Sequence, residues 1–274
     1  MKKTLMLILV LLLAVAAVWW IARDAMYGGA VDENGNATGT SSDAQSILEK
    51  LQAQVGDGGT VELVSGATDA IPEGVPIPSL DRPITFPKSY DNNPDARRIT
   101  RETIESLSEE LKGDPTRFST WIDLGIYRKG IEDYEGAAEA WKFAGEIRPQ
   151  NNISFHNLGD LYHFFLKDFP KSEQAFKQAI QNDPTYVPSY LSLADLYKYS
   201  YKTDTDLGAL TLLDGIRVNG ESVAFLSALG SYYKELGDKA KAIEYYQKAF
   251  LKAKADGNTE LQSAYEREIR ALGG

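Results

Sequence analysis

A frame of small, aromatic and proline residues recurs in this chain about every 34 positions, and that period limits its fold more than any other feature. Trp121, Leu124, Gly125, Ala137, Trp141, Ala144 and Pro149 set the frame. Phe155, Leu158, Gly159, Tyr162, Phe176, Ala179 and Pro184 repeat it, and Leu229, Gly230, Tyr233, Ala242, Tyr246 and Ala249 repeat it again. Each period holds two amphipathic stretches. The small residues suit the places where two antiparallel helices approach most closely, and the aromatics suit the wider gaps between layers. Proline ends the second helix of a period. One such unit cannot bury its own apolar face, so several must stack into a solenoid, an architecture that presents long surfaces suited to binding.

In these residues the chain resembles the tetratricopeptide repeat family over about residues 118–256, half its length. The units run over 118–151, 152–186, 187–222 and 223–256. The first departs from the family pattern at Arg128, where tyrosine is usual. The second carries one extra residue near its inter-helix turn. The third is degenerate: it keeps Tyr190, Leu193 and Tyr197, puts Ala194 in place of the glycine, has a long turn from Tyr199 to Asp206, and ends on Gly220 instead of proline. The fourth has Lys254 where proline is usual. Two flanking helices resemble caps. One spans 96–112, with Ile99, Ile104, Leu107 and Leu111 on one face, and the other spans 258–272, with Asn258 as its N-cap. The resemblance implies an all-α fold: a right-handed α-solenoid of about four helix pairs with helical caps, over residues 96–274.

The rest of the chain differs in character. Net charge is -10, divided as about +2 over residues 1–26, about -8 over 27–95 and about -4 over the remainder. No basic stripe follows the first residues, which argues against nucleic acid as a partner. Lys2 and Lys3 precede an uncharged apolar run from Leu5 to Ile21 that Trp19 and Trp20 close. As a helix it spans roughly 27 Å, enough for a thin bilayer. The reading is a transmembrane signal-anchor over 1–26, with the amino terminus inside and the rest of the chain extracytoplasmic. The alternative is a cleaved signal peptide, with Ala14-Val15-Ala16 or Gly28-Gly29-Ala30 as its site and a secreted product. The chain has no cysteine, so it has neither a disulfide framework nor a lipid-modified thiol.

Residues 27–95 read as an acidic, proline-containing linker. Gly28 to Ser42 is polar, Asp43 to Val55 has helical spacing, and prolines 72, 76, 78, 83, 87 and 94 make the last part extended. Asp32, Asn34, Asn36 and Asp43 imitate part of a calcium loop, but Ala37 replaces its glycine and Asp43 its closing glutamate, so the stretch reads as polar linker. Val75, Ile77, Leu80, Ile84, Phe86 and Tyr90 suggest that the extended part lies on the folded domain, and the repeat groove is one place it would fit.

Family members bind extended peptides in the groove lined by their first helices. The resemblance places these groove positions at Ile122, Ile126 and Lys129; at His156, Asp160 and His163; at Leu191, Asp195 and Lys198; and at Ser227, Ser231 and Lys234. The Asn and Lys arrangement with which some members clamp a C-terminal carboxylate is missing. His156, Asp160 and His163 share a helix face, and with Asp195 they form a candidate metal set. The two histidines lie about 10 Å apart along the helix, however, too far to share an ion easily. No Ser-His-Asp spacing, paired-carboxylate constellation or phosphate loop is present, and Gly56-Asp57-Gly58-Gly59 lacks the strand and helix such a loop needs. The expectation is a non-enzymatic scaffold without cofactor or metal that binds protein or peptide partners. The alternatives are an accessory subunit of an envelope complex and a metal or small-ligand module.

Overall fold

The computed structural model describes residues 70–274. The apolar run, the polar stretch, the helical spacing of residues 43–55 and the calcium-like spacing lie outside the described residues. Among those residues there are ten α-helices, one 3-10 turn (Lys88–Tyr90) and no strand. The described chain falls into two units, residues 70–219 and 220–274.

The first unit holds α1 (Pro94–Gly113), α2 (Phe118–Gly130), α3 (Tyr134–Ile147), α4 (Ile153–Phe164), α5 (Phe169–Asn182), α6 (Val187–Tyr199) and α7 (Leu207–Asn219). Each helix packs on the next, and α4 also meets α6. The pairs α2/α3, α4/α5 and α6/α7 are therefore consecutive hairpins, and the first helices α4 and α6 lie side by side. The second unit holds the hairpin α8 (Val223–Glu235) and α9 (Lys239–Ala255), followed by α10 (Thr259–Leu272) packed on α9.

The local signals explain where these helices begin. Asp133, Asp168 and Asp238 each accept a hydrogen bond from a backbone N–H in the first turn of α3, α5 and α9, satisfying a donor that has no partner inside the helix. The residue before each aspartate turns the chain through the left-handed region: Glu132 (φ 63), Lys167 (φ 55) and Gly237 (φ 77). A left-handed residue followed by a capping aspartate thus forms the hairpin turn in three of the pairs. Asn93 caps α1 and Asn258 caps α10 in the same way.

The recurring glycine marks the closest approach within each hairpin. A Cβ on Gly125 would stand 2.3 Å from the Trp141 ring, one on Gly159 would stand 2.4 Å from Phe176, and one on Gly230 would stand 2.5 Å from Tyr246. The small residue of the first helix and the aromatic of the second are therefore one contact, made three times. Around it the core is continuous through α1 to α5, with Trp121 and Trp141 fully buried and Trp121 edge-on to Phe143 at 4.7 Å.

Residues 70–93 are mostly extended and lie on the first unit as a strap. Ile71, Val75, Leu80, Ile84, Phe86 and Tyr90 pack against its core. Arg82 Nε donates to both carboxylate oxygens of Asp133 at 2.9 and 2.8 Å. Arg128, only 3% exposed, donates to the carbonyl oxygens of Pro83 (2.8 Å) and Arg82 (3.0 Å) and to Asp133 (3.2 Å). The guanidiniums of Arg97 and Arg101 lie 5.2 Å from the Phe86 ring centre, and Lys112 pairs with Asp81 at 2.9 Å. An open cavity of about 450 Å³ lies between Val75–Ser79 and the α3 side chains Glu139, Lys142, Phe143 and Glu146. The strap contacts α1, α3 and the end of α2. It does not cover Ile126, which stays 46% exposed, so its seat differs from the groove that the sequence suggested for it.

Candidate functional site

The surface made by the first helices of the first unit is built from α2, α4 and α6. Two hydrogen bonds tie α4 to α6 and to the loop after it. His156 Nδ1 and Ser189 Oγ are 3.2 Å apart, and His163 Nε2 and Ser200 Oγ are 2.9 Å apart. Lys129, on α2, reaches across to α4's end: its Nζ lies 5.8 Å from the Trp141 ring and 5.7 Å from the Phe165 ring.

The twelve groove positions read from the sequence do not share one environment. Ile126 is exposed, and Lys129, Asp160, Leu191, Asp195 and Lys198 are half-buried on this surface. Ile122 is buried, and its carbonyl accepts from Trp141 Nε1 at 3.0 Å. His163 is 2% exposed. Its ring stacks on Phe164 at 4.1 Å and meets Phe169 edge-on at 6.2 Å. His156 is half-buried between Phe176 and Tyr186 at 5.8 and 5.3 Å. Ile122 and His163 thus support the surface from beneath, Ile122 covered by helix packing and His163 by Phe164, Phe169 and the turn after α6. Ser227, Ser231 and Lys234 belong to the second unit. There Ser227 Oγ donates to the Ala224 carbonyl at 3.2 Å, Ser231 hydrogen-bonds the Tyr246 hydroxyl, and Lys234 pairs with Glu268.

Burial determines the charge of both histidines. It lowers His156 below the usual imidazole range, against the pull of Asp160, whose Oδ2 lies 3.7 Å from Nε2. It lowers His163 to about 4, with Lys167 acting in the same direction. His163 Nδ1 is buried and has no hydrogen-bond partner among the described residues, so a second proton there would have no acceptor. Both rings are therefore neutral near pH 7 and serve as packed polar links between helices. Among the described residues no group of three or more His, Asp or Glu side chains is placed to hold a metal ion. The set His156, Asp160, His163 and Asp195 is not brought together around one point.

Glu173 on α5 fixes the long turn of the third pair. It accepts from Tyr197 (2.5 Å), Lys202 (2.9 Å) and Lys177 (2.9 Å). Burial alone would raise its carboxyl, but these three donors hold it at about 2. The turn they anchor carries Ser200, the partner of His163.

The tetratricopeptide repeat family model matches residues 154–186 and 223–251. Over those two stretches the chain carries tetratricopeptide repeats. One matched stretch covers α4/α5 and the other covers α8 and most of α9, hairpins in which a first-helix glycine meets a second-helix aromatic. No curated protein sequence matches the chain. Among solved structures, one titled "Crystal structure of MamA" is similar at 19% identity and a TM-score of 0.49, covering 64% of this chain and 99% of that one. None of the described helices is long and apolar enough to cross a membrane.

Two features of the repeats were not read from the sequence. Phe164, Phe165 and Tyr199 are 41, 42 and 43% exposed at the ends of α4 and α6. Their signal was the Phe164-Phe165 pair, which lies beyond the repeating aromatic frame. The second feature is the grip of Arg128 on the strap. Its signal was the departure from tyrosine at that position.

Proposed function

We propose that this chain is a membrane-tethered, extracytoplasmic scaffold whose repeats bind a partner protein segment on the surface of their first helices. The observation that carries this reading is the exposure of Ile126 beside Lys129, with Asp160, Leu191, Asp195 and Lys198 following on α4 and α6. Ile126 is nearly half exposed, and Phe164, Phe165 and Tyr199 at the ends of α4 and α6 are exposed too, which fits a surface that another chain covers. The tetratricopeptide repeats support the same reading, since repeat arrays are interaction platforms and the partner is chosen by surface side chains. No catalytic step is proposed. The tether is residues 1–26, with 27–69 as the spacer before the strap. The uncharged run Leu5 to Ile21 and the preceding lysines support it. Alkaline extraction of membranes and protease protection test the tether: the chain should stay in the pellet, with its repeats cut only from the extracytoplasmic side. Release of a soluble chain shortened at its amino terminus would replace the anchor by a cleaved leader.

The scaffold reading is tested by affinity capture from solubilised envelope membranes, with the wild-type chain beside an Ile126→Asp, Asp160→Ala, Asp195→Ala variant. A partner captured by the first and lost from the second supports the proposal. Equal capture by both moves the site to the second helices or the caps, which is the accessory-subunit alternative.

A further inference from the structure

One edge of the first-helix surface has its own chemistry. At the C-terminal ends of α2, α4 and α6, aromatic rings follow one another: Tyr134 lies 4.8 Å from Phe165, Phe164 stacks on buried His163, and His163 bonds to Ser200 beside Tyr199. Phe164, Phe165 and Tyr199 are each a little over 40% exposed. Lysines border it: Lys129 over Phe165, Lys198 4.6 Å from the Tyr199 ring centre, and exposed Lys167 in the turn after Phe165. The neighbouring acids Asp168 and Glu173 are engaged by Lys171 and by Lys177 and Lys202. Glu132 and Glu135 beside Tyr134, and Asp204 and Asp206 in the turn after Tyr199, are exposed carboxylates of the same turns.

We infer that this aromatic band is the part of the binding surface that selects the partner, and that it takes a protein segment in which a bulky apolar side chain is flanked by carboxylates. An apolar side chain laid across Phe164, Phe165 and Tyr199 removes exposed aromatic surface from water, and carboxylates beside it meet Lys129 and Lys167. This reverses the preference suggested by the acidic net charge of the whole chain, since net charge averages over surfaces that the partner never touches. The band lies on the repeats proposed above to bind protein, which favours a protein segment over a lipid surface. The inference rests on the scaffold reading of the same surface.

The test is a selection of displayed random twelve-residue peptides on the full-length chain in zwitterionic nanodiscs, followed by titration of the enriched peptides. Enrichment of Asp or Glu beside Phe, Trp or Leu is expected, with at least a tenfold loss of affinity in Phe164→Ser/Phe165→Ser. The Lys129→Gln/Lys167→Gln variant, which leaves every ring in place, should lose severalfold and become less sensitive to salt. Enriched peptides that are basic, or that bind both variants as tightly as wild type, would overturn the inference. If those peptides are lost instead from the Asp160→Ala/Asp195→Ala variant, the scaffold reading stands and only the aromatic edge falls. Sedimentation of the full-length chain with phosphatidylglycerol vesicles, abolished by Phe164→Ser/Phe165→Ser in the absence of any selected peptide, would assign the band to lipid and also overturn it.

Discussion

Replacing Arg128 by methionine tests whether the strap is part of the folded repeat unit. The substitution keeps most of the side-chain volume and removes the guanidinium, which is 3% exposed and donates to the Pro83 and Arg82 carbonyls at 2.8 and 3.0 Å. Hydrogen bonds from a charged donor contribute about 1.5–3 kcal/mol each, and desolvation of Arg128 offsets part of the two, so the expected loss is about 3 kcal/mol. Asp133 keeps Arg82 as a partner, which limits further damage. In a chain lacking residues 1–90 the carbonyls are gone. Arg128 is then a cation with one carboxylate beside it, and the same substitution should cost less than about 1 kcal/mol. The coupling between strap and Arg128 is therefore about 2 kcal/mol. Urea unfolding followed by tryptophan fluorescence measures it, because Trp121 and Trp141 are both 1% exposed in this unit. Equal costs in the two backgrounds would refute the reasoning and leave Arg128 acting through Asp133 alone.

Three further outcomes follow from the described geometry. Gly125→Ala should destabilise by about 3 kcal/mol in the same urea assay, since its Cβ meets a Trp141 ring that is buried and held by its bond to the Ile122 carbonyl. Lowering the pH should cost stability through His163. The folded state holds its pKa near 4 while the unfolded chain returns it to about 6.5, so its contribution is intact above 6.5 and lost progressively between 6.5 and 4. At pH 5 the loss is about 2 kcal/mol, and His163→Gln should remove it; an unchanged pH profile in that variant would assign the effect to other groups. Glu132→Gly should raise the thermal midpoint, because Glu132 holds φ 63 in a turn where the second unit uses Gly237. The gain is up to about 1 kcal/mol, and a lower midpoint would show that the Glu132 side chain does more than occupy the turn.

The helix pairs were legible because each depends on local signals. Glycine at 125, 159 and 230 and aromatics at 141, 176 and 246 state the contact within a few tens of residues, while the capping aspartates 133, 168 and 238 were not read from the sequence. The exceptions were long-range or involved the backbone. Arg128 stood out as the wrong residue for its position, but its partners are the carbonyls of Arg82 and Pro83, and a backbone acceptor leaves no mark in a side-chain pattern. The apolar residues of the strap suggested that it docks, while its seat on α1 and α3 depends on Arg82, Arg97 and Arg101 together. His163 kept the spacing of a surface position. It is buried because the long turn after Tyr199 folds back to place Ser200 against it, and Glu173 on another helix anchors that turn. Helical periodicity assigns a face to a side chain, but not the loop that later covers it.

Site-specific photocrosslinking in cells tests the central claim most directly. A photoreactive amino acid at position 126, on the first-helix surface, is compared with one at position 142 on α3. The account predicts a discrete adduct with a partner protein from position 126, lost in the Phe164→Ser/Phe165→Ser background, and little from position 142. An adduct from position 142 that is unaffected by those substitutions, with none from 126, would contradict it.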